Sequence, residues 1–181
     1  MSDNDATAIH YVCTLAEGAA LLAQQQEFYL RTCGCRARHA GNHEDNNRCL
    51  WFSTNYLEDY AFSERISADA ATSLLQAASD EGLVIRPFRD FQQRTDVAGI
   101  CLCCACCCSY FHDTPREACD KGALIESTRE DLCTDCGLCV PTCRFGARTL
   151  EETLTIDRDH CYGCGLCEGA CPTGAIAMGN R

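Results

Sequence analysis

The spacing of apolar residues predicts two helices in the first half of the chain. Apolar side chains recur at near-helical intervals after residue 14, and a helix is expected over about residues 14–31. Ser67 is a candidate N-cap for a second helix, because its hydroxyl can accept a bond from an exposed backbone N–H. Gly82 stands where a glycine in the left-handed conformation would end that helix.

Short apolar runs outside these helices predict strands. Residues 83–85 read as a short extended segment, followed by a polar loop over residues 90–96. Residues 124–125 and 153–156 read as further strands, each before a glycine- and cysteine-rich loop. Helices and strands in separate stretches indicate an α+β fold.

The cysteine content indicates the chemistry of the protein, because 19 of the 181 residues are cysteine. A secreted disulfide scaffold is one interpretation of such a count. The odd number, the crowding in Cys106-Cys107-Cys108 and an acidic N-terminus without an apolar segment argue against it. We expect metal-bound thiolates in a reducing cytoplasm.

Two runs near the C-terminus share the spacing C-x2-C-x2-C-x3-C, at residues 133–143 and 161–171. Three thiolates at this spacing can surround one iron–sulfur cubane, while the fourth lies too far along the chain and reaches the other cluster. The predicted ligands of one [4Fe–4S] cluster are Cys133, Cys136, Cys139 and Cys171. Those of the other are Cys161, Cys164, Cys167 and Cys143. Two zinc sites of similar spacing are the alternative.

The segment from about residue 123 to 178 resembles bacterial-type two-cluster ferredoxins. The resemblance rests on the two cysteine runs and on the residues that follow each of them, including Pro172 after the second. It implies a ferredoxin-like two-cluster βαββαβ domain over residues 123–181. Arg144 departs from the pattern, since the family usually has proline at that position.

A second cysteine-rich region precedes this segment. It contains C-x-C-R at residues 33–36 and six cysteines among residues 101–108. It resembles a cysteine-rich N-terminal region attached to two-cluster ferredoxins, mainly in anaerobes, and the resemblance implies metal binding. The predicted metal ligands are Cys33, Cys35, Cys49, Cys101, Cys103, Cys104, Cys106 and Cys107. Any role for His43 or Cys108 stays open.

These cysteines predict one or two further Fe–S clusters, either cubanes or a non-cubane type. Closely spaced thiolates repel one another, and a metal supplies the compensating positive charge. Zinc or another soft metal, a vicinal disulfide and inert reduced thiols are the alternatives. We expect residues 1–122 to form a small, mainly helical, cysteine-rich metal-cluster domain.

Charge narrows the choice of partners. The formal net charge is −11, and acidic residues outnumber basic ones on both sides of residue 122. Nucleic acid is therefore not expected as a partner, since it selects basic surfaces. An acidic surface suits a redox partner protein with a basic patch, although it also serves solubility alone. No apolar stretch approaches the roughly 20 residues of a membrane span.

The leading hypothesis is an oxygen-sensitive iron–sulfur electron carrier that relays single electrons between redox partners and is not an enzyme. No catalytic residue is assigned, because no nucleophile–His–acid pattern or phosphate loop is present. One alternative is a reductase whose unusual N-terminal cluster reduces a substrate, for example a disulfide, with electrons from the ferredoxin domain. A redox or metal sensor, or an assembly factor, is another.

Overall fold

The computed structural model of the chain describes residues 7–39, 47–52, 63–112 and 119–181. Its strands are β1 (His10–Tyr11), β2 (Phe28–Thr32), β3 (Asn47–Trp51), β4 (Ser63–Ile66), β5 (Val84–Arg89), β6 (Val97–Cys103), β7 (Cys119–Asp120), β8 (Leu124–Thr128), β9 (Arg148–Leu150), β10 (Leu154–Ile156) and β11 (Ile176–Asn180). Its helices are α1 (Leu15–Ala23), α2 (Gly34–Arg38), α3 (Ala68–Asp80), α4 (Ser109–His112), α5 (Cys139–Thr142) and α6 (Leu166–Gly169), with a 3₁₀ turn at Arg158–His160.

A seven-stranded sheet forms the centre of the first part of the chain, in the order β4-β2-β3-β6-β5-β1-β7. Strands β1 and β7 pair in parallel, and the other pairs run antiparallel. The expectation of a mainly helical domain before residue 122 is therefore wrong. Short apolar runs such as β5 and β6 lie inside the sheet, and each gains hydrogen bonds from two neighbouring strands that local sequence does not reveal.

Helix α1 is also shorter than predicted, because strand pairing takes up the residues that follow it. Thr14 caps it through a reciprocal capping box, in which the Thr14 hydroxyl accepts from the Glu17 N–H and the Glu17 carboxylate accepts from the Thr14 N–H. The helix ends at Ala23, and the expected continuation to residue 31 is wrong. Phe28 instead begins β2, which pairs with β3 on one side and β4 on the other.

Helix α3 agrees with the prediction at both ends. The Ser67 hydroxyl accepts a hydrogen bond from the Ala70 N–H, and Gly82 follows the C-cap with φ of 70°. Its buried face carries Ala71 and Leu75, which pack with Leu22 of α1 in the main apolar core. The two helices thus cover one side of the sheet. Side chains of β5 and β6 remain available for a functional site.

The C-terminal part has the element order β8-α5-β9-β10-α6-β11. β8 pairs with β11, and β9 with β10, both antiparallel. The strands predicted at residues 124–125 and 153–156 are confirmed as β8 and β10. This order places one cysteine-rich loop before α5 and the other before α6.

The two parts of the chain touch directly. The Gly122 N–H donates to the Tyr162 carbonyl (3.0 Å). Arg144 Nε donates to the Gly82 carbonyl at the end of α3 (3.3 Å). The arginine that replaces the expected proline therefore joins the first cysteine run to the N-terminal sheet.

Candidate metal centres

The first pocket in the C-terminal part gathers four thiols. Its wall contains Cys133, Cys136, Cys139 and Cys171, the set that the sequence assigns to one cluster. Hydrogen bonds from Thr173 and from backbone N–H groups lower the pKa of Cys171 to about 7. A thiol that ionises near neutral pH is suited to metal ligation.

The second pocket gathers the other predicted set. The cysteines in its wall are Cys143, Cys161, Cys164 and Cys167. Burial raises the pKa of Cys164 to about 12 and that of Cys167 to about 11. These thiols ionise readily only beside a positive charge, which a bound metal supplies. The donor set of each pocket thus fits a [4Fe–4S] cluster.

Gly163 is required by the geometry of the second loop. Its φ is 79°, and a Cβ at this position would collide with the carbonyl oxygen of Leu124. Glycine alone therefore lets the loop approach β8 this closely.

Arg148 lies between the two pockets and was not singled out by its sequence context. Its Nη1 donates to Cys139 Sγ of the first pocket (3.5 Å), and its side chain also lines the second pocket. Its Nη2 forms an ion pair with Glu126 Oε2 (2.6 Å), and both side chains are 1% exposed. Burial alone would lower the pKa of Arg148, but the negative charges of Cys167, Cys139 and Glu126 outweigh it and raise that pKa. A fixed positive charge therefore stands next to both thiol sets.

A third pocket lies in the N-terminal part. The cysteines in its wall are Cys33, Cys35, Cys49, Cys101, Cys103, Cys104 and Cys108. Six of these seven were predicted as ligands, whereas the role of Cys108 had been left open. His43 lies outside the residues that the structure describes.

Six of these thiols form a closed ring, which we call the thiol ring. Each interacts with two others, in the order Cys33, Cys35, Cys108, Cys103, Cys101, Cys49 and back to Cys33. The Sγ atoms of Cys49 and Cys101 are 3.9 Å apart. Hydrogen bonds from Cys108 and Cys33 hold the pKa of Cys35 well below its usual range. The ring therefore brings together thiols that are remote in sequence.

Three stretches of chain supply the ring. Cys33 and Cys35 lie at the start of α2, and Cys49 lies on β3 directly opposite Cys101 of β6. Cys101 and Cys103 are two residues apart on β6, so their side chains point to the same face of the sheet. The chain then turns, and Cys108 returns to this face immediately before α4.

Arg86 is buried beside the thiol ring and donates hydrogen bonds to two of its sulfur atoms. It is 1% exposed, and its Nη1 donates to Cys108 Sγ (3.3 Å) and Cys103 Sγ (3.7 Å). Its guanidinium lies 4.4 Å from the ring centroid of Tyr110. The position of Arg86 within the apolar run of β5 was the available sequence signal, because a buried arginine needs anionic partners.

The remaining predicted ligands form a second group, which we call the thiol triad, and one of them, Cys104, also lines the third pocket. The Sγ atoms of Cys104, Cys106 and Cys107 all lie within 4.8 Å of one another. They occupy the turn between β6 and α4, with Cys104 and Cys107 buried and Cys106 exposed. The structure thus divides the nine cysteines of this region into six and three.

An aromatic bridge joins the third pocket to the second. Tyr110 lines the third pocket, and Phe145 and Tyr162 line the second. The Tyr110 ring centroid lies 6.2 Å from each of theirs. Phe111 packs beside them, 5.0 Å from Tyr110 and 5.6 Å from Phe145. Side chains in contact therefore connect the two sites without a gap.

Comparison with protein families agrees with the geometry of the C-terminal pockets. The family described as "4Fe-4S dicluster domain" matches residues 132–175. These residues are therefore similar to a dicluster domain. The domain indicates an iron–sulfur, ferredoxin-like protein and iron–sulfur electron transfer. It covers less than half of the chain, and the thiol ring and thiol triad lie outside it.

Searches of curated proteins and of solved structures give no significant match. Within the described part of the chain, no helix has the length and apolar character needed to cross a membrane.

Proposed function

We propose that this protein relays single electrons between redox partners through three connected centres. Two are [4Fe–4S] clusters, held by the crossed cysteine sets of the two C-terminal pockets. The third is a further Fe–S cluster held by the thiol ring. The aromatic bridge carries the proposal, because it places the thiol ring in packed contact with the wall of the second pocket.

Each cluster, when bound, can accept and release one electron. The chain supplies the ligands, the spacing and the electrostatic surroundings. Tyr110, Phe145 and Tyr162 fill the space between the third and second pockets and exclude water from it. Arg148 spans the step between the second pocket and the first, and its fixed charge favours the more negative, reduced state on either side.

The first pocket is the suitable exit for electrons. Cys136 is exposed, and the neighbouring Leu138 and Leu150 are 53% and 39% exposed. Glu151 and Glu152 follow Leu150 on the surface. An apolar patch beside acidic residues suits brief docking of a redox protein with a basic rim. We propose a cytoplasmic, oxygen-sensitive carrier that works in this way.

Iron and sulfide analysis of the full-length protein, prepared without oxygen, tests the proposal. The wild-type protein should hold about eight irons in the dicluster domain and about four or more in the thiol ring. Cys108→Ser should lower the content to about eight and leave the ferredoxin-type electron paramagnetic resonance signals unchanged. Cys119→Ser is the matched control, because Cys119 belongs to neither quartet, nor to the ring or triad, and should keep the full iron content.

Two results would overturn parts of the proposal separately. A wild-type content of about eight irons would refute the thiol-ring cluster and leave the dicluster relay in place. A folded, colourless protein without iron would refute the electron-transfer function altogether.

A further inference from the structure

The thiol triad differs in geometry from every other cysteine group in the described residues. Cys104, Cys106 and Cys107 have their Sγ atoms within 4.8 Å of one another, and Cys106 and Cys107 are 3.7 Å apart. No other three potential metal ligands among histidine, cysteine, aspartate and glutamate converge this closely in the part of the chain that the structure describes. The three sulfur atoms thus surround a single point.

The two quartets and the thiol ring have a different arrangement. The ligands of a cubane bind different iron atoms, so their sulfur atoms diverge around a body of several atoms. The ring thiols likewise contact their neighbours in pairs around the third pocket. A compact triad leaves no such space between its sulfur atoms.

We propose that Cys104, Cys106 and Cys107 bind one mononuclear thiophilic metal ion of the Zn²⁺ class, separate from the iron–sulfur centres. Thiolates bound to Zn²⁺ at about 2.3 Å in tetrahedral geometry lie about 3.8 Å apart. The 3.7 Å separation of Cys106 and Cys107 matches this spacing. This proposal goes beyond the electron-transfer function and does not depend on it.

The surroundings of the thiol triad favour such an ion. Three thiolates and one Zn²⁺ carry a net charge of −1, and the guanidinium of Arg36 acts electrostatically on Cys104. Arg36 is only 3% exposed, so its charge is little screened by solvent. Because Cys106 is exposed, the fourth coordination position faces water. A small ligand can therefore reach a metal in this site.

The experiment uses the full-length protein with its iron–sulfur centres in place. After mild chelation it is titrated with Zn²⁺ without oxygen, and zinc and iron are measured together. We expect about one tightly bound Zn²⁺ per chain. X-ray absorption at the zinc edge should show three sulfur neighbours at about 2.3 Å and one lighter atom.

Two serine variants separate the thiol triad from the thiol ring. Cys106→Ser should abolish tight zinc binding and leave iron and sulfide unchanged. Because Cys106 is exposed, the substitution should leave the fold intact. Cys33→Ser should keep the zinc site. Loss of iron in Cys106→Ser would overturn the proposal, because the triad would then ligate an iron–sulfur cluster. Absence of tight zinc binding, or a zinc spectrum without three sulfur neighbours, would also overturn it.

Discussion

The rings of Phe145 and Tyr162 stack with their centroids 4.3 Å apart and their planes inclined by 10°. Phe145 follows the first cysteine run, and Tyr162 lies inside the second, next to Cys161. Tyr110 meets both rings from the N-terminal side. The stack is therefore the place where three cysteine-bearing segments meet.

Tyr162→Ala should slow electron exchange between the thiol ring and the second pocket, because it opens a water-accessible gap in the aromatic bridge. It should also lower the free energy of unfolding by about 2 kcal/mol through lost packing and stacking. Freeze-quench spectroscopy after rapid reduction measures the exchange. Tyr162→Phe is the matched control and should retain the rate, with a loss of about 1 kcal/mol from the hydroxyl. Equal rates in all three proteins would contradict the bridge.

Arg148→Met should make the reduction potential of both C-terminal centres more negative, since a nearby positive charge that favours reduction is removed. It should also cost about 3 kcal/mol of folding stability, because Glu126 stays buried with weaker compensation. Arg158, which lies 2.9 Å from the other Glu126 oxygen, limits that cost. Redox titration and chemical denaturation measure the two effects. Arg148→Lys keeps the charge, and a shift as large as that of Arg148→Met would argue against an electrostatic cause.

Asp90 should contribute stability that depends on pH. Its carboxylate accepts hydrogen bonds from the N–H groups of Gln93, Thr95 and Asp96, which hold the pKa of Asp90 well below its usual range. The contribution is present above about pH 4, the usual range of an aspartate in the unfolded chain, and is lost as the pH falls. Wild-type protein should therefore be more stable than Asp90→Asn at pH 7, and the difference should shrink towards pH 3.

Urea unfolding at several pH values measures this difference. Asp96→Asn, which removes the exposed carboxylate at the other end of the same loop, is the control. A difference between wild type and Asp90→Asn that stays constant from pH 7 to pH 3 would show that the carboxylate hydrogen bonds do not stabilise the β5–β6 hairpin.

Gly99→Ala should destabilise the central sheet by about 2 kcal/mol or more. A Cβ at Gly99 would overlap the Leu50 carbonyl oxygen and the Phe88 ring, and neither can move without disturbing β3 or β5. Gly179→Ala is the matched control in β11, because no heavy atom lies within 4 Å of its added Cβ. Thermal unfolding compares the two, and similar melting temperatures would contradict the close approach at Gly99.

The C-terminal sites could be predicted from sequence because their information is local. Three ligands of each quartet lie within seven residues, so their spacing alone predicts that they share a cluster. The flanking strands β8 and β10 also follow from short apolar runs. The role of Arg148 could not be predicted in this way, because it depends on Glu126 and Cys139, which lie on other elements.

The N-terminal part was harder to predict because its sites depend on the sheet. Residues 28–32 have an aromatic and apolar pattern compatible with a helix or a strand, and pairing with β3 and β4 decides between them. The sequence predicted Cys104 and Cys106 as metal ligands and left the role of Cys108 open. The turn after β6 instead brings Cys108 back to the ring and leaves Cys106 facing solvent.

The ring sulfurs come from three separate stretches of the chain, and this affects when a cluster can assemble there. Residues 133–143 already carry three thiols of the first quartet, so a short nascent segment offers most of a binding site. The ring has no such precursor, because Cys33, Cys49 and Cys101 become neighbours only when β3 has docked on β6. The cluster proposed for the ring would therefore assemble only in a chain that has already folded, whereas the C-terminal runs could begin to bind metal during synthesis.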